Sequence, residues 1–292
     1  MKIQTQCVPC LLKRIIFEAE HSTNDHTIKT KVIRNACQAL SKLYDPNECS
    51  ATIATEVHKL VYEALGDDDP YKVLKNQSNK VAMSLVPQVE KLVEESDDPL
   101  KMSILCSIVG NTMDFGIEGA STHPDMLKDI FEKTVADGLG YDDSAMLKEL
   151  LKKSKSVLLF TDNCGEIVFD KILCRELKKF NPKMFLTLVV KGESVLSDAT
   201  MEDAEKLHFE EIVDKILTTG SFAVGVDFNK LPSELDKALE KVDLIICKGM
   251  ANYESFSETN YHPIVYLMRT KCNVIANSLG IPVNINVVKF FK

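Results

Sequence analysis

Along the first half of the chain, apolar residues recur every three or four positions. Val8 to Glu20, Thr27 to Leu43, Ile53 to Leu65 and Tyr71 to Val93 carry this spacing, which predicts amphipathic helices. Met102 to Val109, Met126 to Val135 and Ala145 to Leu151 continue it in shorter pieces. Turn clusters such as Gly66-Asp67-Asp68-Asp69-Pro70 and Ser96-Asp97-Asp98-Pro99 separate the helices. Near Lys155 the period changes. Short apolar runs at Val157 to Phe160, Phe185 to Val190, Lys215 to Thr218, Val242 to Cys247 and Val274 to Ala276 predict buried strands. Helical patterns at Ile167 to Phe180, Met201 to Phe209 and Ile264 to Lys271 lie between them. A mostly parallel sheet covered on both faces is therefore expected. Val283 to Val288 alternates and predicts an edge strand exposed on one side. The two expected domains are residues 1–152 and 153–292, closely packed because no low-complexity linker divides them.

Composition narrows the function classes. The 292 residues are 45% hydrophobic and 27% charged, enough for one large or two ordinary cores. A net charge of −8, with both signs interspersed, argues against general affinity for nucleic acid or anionic membranes. No apolar run approaches the roughly 20 residues that span a bilayer. Lys13 and Arg14 interrupt the apolar residues near the N-terminus, where a signal peptide needs an unbroken stretch. A cytoplasmic protein is expected. Nine cysteines without scaffold spacing fit thiols in a reducing compartment.

Candidate chemistry gathers at four predicted strand ends. Asp162, Asn163 and Glu166 follow the first strand, with Gly165 at the turn. Asp198, in Ser197-Asp198-Ala199-Thr200, follows the second. Gly220 and Gly225 flank a loop after the third, and Lys248-Gly249-Met250-Ala251-Asn252-Tyr253-Glu254 follows the fourth. In a doubly wound sheet these ends share one edge, where ligands bind. Two Asp and one Asn supply hard oxygen donors for a divalent cation, and Lys248 supplies an ammonium for an anion. Each loop alone reads equally as a helix cap or Asx turn. Their coincidence favours a site.

The ordered set resembles the signature series of the damage-control phosphatases, the metal-dependent family formerly listed as domain of unknown function 89. The resemblance rests on Asp162-Asn163-x-Gly165-Glu166 with Asp170, Ser197-Asp198-Ala199-Thr200, Thr219-Gly220 and Lys248-Gly249-x-x-Asn252-x-Glu254. Gly110-Asn111-Thr112-Met113-Asp114-Phe115-Gly116 and Asp69-Pro70-Tyr71 with Lys75 and Asn79 resemble its helical-domain motifs. Cys7-x-x-Cys10 resembles the N-terminal pair of the prokaryotic subgroup. The resemblance implies a helical N-terminal domain packed on a Rossmann-like, mostly parallel three-layer α/β domain. It implies Asp162, Asn163 and Asp198 as ligands of a divalent ion (Mg, Mn, Ni or Co). Glu166, Lys248, Asn111 and Asp114 are then the catalytic candidates, and Lys248, Gly249, Asn252, Glu254 and Gly220 contact the substrate. The implied reaction is hydrolysis of small phosphorylated metabolites such as sugar phosphates. An aspartyl nucleophile of the Asp-x-Asp kind is disfavoured, because the third position is Cys164.

Two other functions compete. A nucleotide- or methyl-donor-dependent transferase would use the Rossmann-like domain, yet the first strand lacks a Gly-x-Gly-x-x-Gly turn. A metal or redox module would centre on Cys7 and Cys10, which share one face of the first helix. Zinc would need two further ligands, and no second Cys-x-x-Cys exists. Structural thiols explain that pair equally well. His123 and His262 precede prolines and read as turn residues. Lys271 reads as a solvated lysine near the sheet edge.

Overall fold

The computed structural model of the chain describes residues 1–111 and 131–292. Five helices open it: α1 (Cys7–Ser22), α2 (His26–Leu43), α3 (Ser50–Leu65), α4 (Lys72–Glu94) and α5 (Pro99–Gly110). Their ends follow local chemistry. The Asp25 side chain accepts bonds from the Thr27 and Ile28 N–H groups to cap α2, and Gly66 closes α3 at φ +68°. Asp98 caps α5, with Pro99 in the first turn, where its missing N–H costs nothing. Unlike its neighbours, α5 is buried from Ser103 through Gly110. A helix apolar all round belongs inside a protein, and this one lies between the other helices and the sheet.

The second half comprises β1 (Tyr141–Asp142), α6 (Ser144–Leu151), β2 (Ser156–Phe160), α7 (Glu166–Phe180), β3 (Phe185–Val190) and α8 (Met201–Lys206). It continues through β4 (Lys215–Thr218), α9 (Ser233–Leu239), β5 (Leu244–Lys248), α10 (Gly249–Phe256), β6 (Ile264–Arg269), α11 (Asn273–Leu279) and β7 (Asn286–Phe291). A single seven-stranded sheet has the order β1-β7-β6-β5-β2-β3-β4. Strands β2 to β6 are parallel, and β7 pairs antiparallel with β6. From β2 the chain moves outward to β3 and β4, then returns to β5 on the other side. The carboxyl end of β2 is therefore a topological switch point, where an open α/β sheet forms its crevice.

Alternate residues of the strands serve two cores. Leu159, Leu188, Ile246 and Val265 pack with Ile104, Ile108, Ile167 and Leu173 from α5 and α7. Leu158, Val189, Ile245 and Tyr266 pack with Leu235, Tyr253, Phe256 and Ile275 from α9, α10 and α11. A third core joins Ile15, Val32, Ala36, Val57 and Val61 of α1 to α3.

Three expectations about elements are corrected. Ile264 to Lys271 is not a helix: β6 occupies Ile264–Arg269, and Ile264 through Met268 are at most 2% exposed. A continuous apolar run does not distinguish a buried helix from a strand buried on both faces, and placement between β5 and β7 decides it. Val274 to Ala276 is not a strand but the middle of α11, which Cys272 enters in extended conformation and Gly280 ends at φ +67°. The expected edge strand at 283–288 lies three residues later. It is also not at the edge, because β1 pairs with Val287 and Val288 on its outer side. Among the described residues, no helix is long and apolar enough to cross a membrane.

Candidate active site at the carboxyl edge of the sheet

The turn from β2 into α7 is fixed from three sides. Gly165 takes φ +82°, and its N–H donates to Asn79 Oδ1 of α4 at 2.6 Å. The Cys164 N–H donates to the Ser197 carbonyl and the Ala199 N–H to the Asp162 carbonyl, each at 2.8 Å. The Ser197 hydroxyl donates to Asn163 Oδ1 at 2.6 Å, and Asn163 and Asp198 form an isolated antiparallel bridge. These bonds sew the loop after β3 onto the turn after β2. Asp162, Asn163 and Asp198 are thereby brought together, each 4–6% exposed.

Neighbouring elements supply the walls. Asn111, at the end of α5, donates from Nδ2 to Asp162 Oδ2 at 2.8 Å and to Glu166 Oε2 at 2.6 Å. Asn163 Nδ2 reaches the same Asp162 oxygen at 2.7 Å. Gly249, at φ +71°, lays its backbone directly against the Asp162 carboxylate. Lys248 is fully buried, and its ammonium bonds Glu166 at 2.6 Å, Asp170 at 2.5 Å and the Ser107 carbonyl at 3.3 Å. Those partners take all three of its donors.

Asn252 donates to the carbonyls of Thr161 at 2.9 Å and Lys248 at 2.8 Å, tying β5 to β2, while its buried Oδ1 has no partner among the described residues. Gly220, at φ +79°, sits in the loop after β4 against Pro232. Glu254 lies apart from this cluster. Its carboxylate accepts a 2.5 Å bond from Ser50 of α3. Asp114 lies outside the described residues.

Burial dominates the electrostatics. It pushes the Asp162 carboxyl well above the usual range, and the charges of Asp198 and Glu166 push the same way. Burial raises Asp170 to about 6 against the opposing pull of Lys248. Lys248 is held above its ordinary value because Asp170 and Glu166 outweigh its own desolvation. Among the described residues, the buried carboxylates of Asp162, Glu166, Asp170 and Asp198 outnumber the fully buried ammonium groups bonded to them, Lys248 and Lys191. An excess of negative charge of this kind is what a divalent cation would neutralise. Among the described residues, no three His, Cys, Asp or Glu side chains are placed to hold a metal by themselves. Two carboxylates and the carboxamide oxygen of Asn163 nevertheless form a hard, oxygen-only donor set of the kind that Mg²⁺ or Mn²⁺ accepts.

Sequence reasoning passed over several residues. Lys191 follows β3 directly and bonds Asp198 at 3.2 Å. A charged residue closing a buried apolar strand is the same signal that marks Lys248, and it was available. Ser107 carries no such signal, because helical spacing does not reveal which polar residue faces the sheet, and Asn79 is marked only by the resemblance of its helical-domain motif. Lys271, expected in solvent, donates to the Asn111 carbonyl. Cys7 and Cys10 are free thiols that burial pushes up, opposite to the activation that redox chemistry needs.

A doubly wound sheet with buried carboxylates, carboxamides and lysines gathered at its switch point belongs to the α/β class that binds ligands at that edge. Comparison with known proteins narrows it. Residues 3–287 match the damage-control phosphatase ARMT1-like domain. A damage-control phosphatase of Archaeoglobus fulgidus is 40% identical over 289 residues, 99% of both chains. Damage-control phosphatase PH1575 of Pyrococcus horikoshii is 31% identical over 283 residues, 97% of this chain and 96% of that one. The crystal structure of a DUF89 family protein from P. horikoshii matches with a TM-score of 0.90 at 29% identity, covering the whole of both chains. The chain belongs to the damage-control phosphatase family, whose members are metal-dependent.

Proposed function

We propose that this chain hydrolyses small phosphorylated metabolites, sugar phosphates or related damaged phosphometabolites, with Asp162, Asn163 and Asp198 holding Mg²⁺, Mn²⁺, Ni²⁺ or Co²⁺. The observation that carries this reading is the gathering of Asp162, Asn163 and Asp198 at the switch point, where buried carboxylates outnumber the buried lysines among the described residues. A divalent ion held there would neutralise phosphate charge and make water a better nucleophile near neutral pH.

The chain's own residues hold that arrangement in place. Asn111 and Asn163 converge on one oxygen of Asp162, leaving the carboxylate no freedom to rotate. Glu166 bonds Lys248 through Oε1 and Asn111 through Oε2, so it orders the turn between β2 and α7. Hydrolysis of phosphate monoesters is among the slowest uncatalysed reactions, and preorganised charge is the help it needs. In this reading the boundary expected at residue 152 moves toward the N-terminus, because β1 and α6 (residues 141–151) join the sheet and its core. The protein works in the cytoplasm, with neither nucleic acid nor membrane as partner.

The test is phosphate release from p-nitrophenyl phosphate and a panel of sugar phosphates, with and without Mn²⁺ or Ni²⁺. Activity that chelation and Asp162→Ala abolish, while Cys7→Ser keeps it, supports the proposal. Activity independent of metal, or none with any phosphoester, overturns it.

A further inference from the structure

The loop that carries Asp198 makes a tight turn of uncommon backbone. The Asp198 N–H donates to the Val195 carbonyl at 3.1 Å, closing four residues with Leu196 at the first central position. Leu196 takes φ +49°, a conformation that suits glycine or asparagine there and that leucine adopts only at a cost. Such strain persists where the surroundings over-determine it, and two contacts from the helical half do so here. The Leu196 N–H donates to the Tyr62 hydroxyl of α3 at 3.0 Å. The Leu196 side chain packs against the core of α1 to α3 and against the satellite core of Ala54, Val195 and Val224.

Tyr62 is itself held in place. It is buried, and its ring meets Phe222 of the loop after β4 edge to face, with centroids 5.3 Å apart. Two turns earlier on α3, Thr55 accepts from the Val224 N–H at 2.9 Å. Helix α3 therefore reaches the loops after β3 and β4. The Tyr62 bond falls on the turn that presents a proposed metal ligand, and the Thr55 bond does not. From that turn the geometry passes directly to the site, because the Ser197 hydroxyl donates to Asn163 Oδ1 and Asp198 bridges to Asn163.

We propose that Tyr62 is a positioning residue of the metal site: by holding Leu196 in its left-handed conformation, the Tyr62 hydroxyl fixes the turn that sets Asp198 beside Asn163 and Asp162. This rests on the reading of Asp162, Asn163 and Asp198 as metal ligands. Its consequence is that a set of ligands carried by the sheet half takes its shape from a helix of the other half. Losing the hydroxyl orphans an N–H of the turn and lets Leu196 relax toward negative φ, which moves Asp198 away from the other two ligands. A merely structural tyrosine would change stability and leave metal affinity as it was.

Titration of Mn²⁺ followed by its electron paramagnetic resonance signal reads the site without turnover, and urea unfolding reads the fold. Tyr62→Phe keeps the ring that packs on Phe222. It is expected to weaken Mn²⁺ binding about three- to tenfold, the factor a single hydrogen bond is worth. Thr55→Val removes the companion bond to Val224 and is expected to lower stability with Mn²⁺ affinity unchanged. Wild-type affinity in Tyr62→Phe, or an equal loss in both variants, overturns the proposal. If Tyr62→Phe does not fold, Leu196→Ala carries the test. It keeps the N–H and removes the side chain that the helical core holds, and unchanged Mn²⁺ affinity there overturns the proposal. Asp198→Ala separates this role from the metal reading it rests on. If that variant binds Mn²⁺ as tightly as wild type, Asp198 is no ligand and the metal reading falls, taking this role with it. If it loses Mn²⁺ while Tyr62→Phe keeps it, the metal reading stands and the positioning role alone falls.

Discussion

A Cβ built on Gly249 would lie 1.9 Å from Oδ2 of Asp162. The first residue of α10 is therefore a wall of the proposed metal site, and glycine is required there twice over, for space and for its φ of +71°. Gly249→Ala is expected to displace the carboxylate and to cost about 1–3 kcal/mol of stability from backbone strain. Mn²⁺ binding should weaken about 10- to 100-fold, the range seen when the support of a metal ligand is lost. Unchanged Mn²⁺ affinity in a folded Gly249→Ala protein would show that Asp162 is not a ligand.

Lys248 compensates two buried carboxylates at once. Replacing it by methionine leaves both uncompensated, and urea unfolding should show a loss of about 3–5 kcal/mol. Combining Lys248→Met with Asp170→Asn removes one of the stranded charges and should restore part of the stability. A double variant as unstable as the single one would mean that the ion pairs are not what the lysine contributes.

Asn79 reaches from α4 to the turn after β2, accepting from Gly165 and donating to Asp203 Oδ1 at 2.8 Å. Asn79→Ala orphans a buried N–H in the Asp162 to Glu166 turn and should cost about 1–3 kcal/mol. Hydrogen exchange at Gly165 is the direct measurement, and protection equal to wild type would contradict this role.

Asp243 gives the structure a pH dependence far from the pocket. Burial is the largest single influence and pushes its carboxyl up, but the Lys155 and Ser156 N–H groups and the Ser156 hydroxyl together outweigh it and hold the pKa below its ordinary 3.8. A carboxylate with a lowered folded-state pKa stabilises the protein above the unfolded value and ceases to do so as pH falls through the folded one. Asp243→Asn should therefore lower the melting temperature by a few degrees at pH 7, about 1 kcal/mol for bonds at an exposed rim. The difference from wild type should shrink below pH 4. A gap that is constant across this range would contradict the assignment.

Much of this arrangement was legible before any coordinates. The helices of the first half announced themselves by spacing and caps, because each buries one face and solvates the other. Asp162, Asn163, Glu166, Asp198 and Lys248 could be grouped from the sequence because polar residues coincide after several predicted strands, although each alone reads as a cap or turn. Ile264 to Met268 was misread because a strand buried on both faces shows no alternation. Lys191 was passed over although it closes β3 as Lys248 closes β5. Ser107 was out of reach, since helical spacing does not tell a serine that bonds Asp170 from a solvated one.

The pairing of Tyr141 with Val287 links the first strand of the chain to its last. Strand β7 is the piece inserted between β1 and β6, so the sheet's outer edge cannot close until residues 286–291 have left the ribosome. Until then β6 carries an open edge, of the kind that recruits strands from other chains. Strand β7 is thus the one that ends this exposure, and its pairing with β1 spans a sequence separation that makes such contacts slow to form.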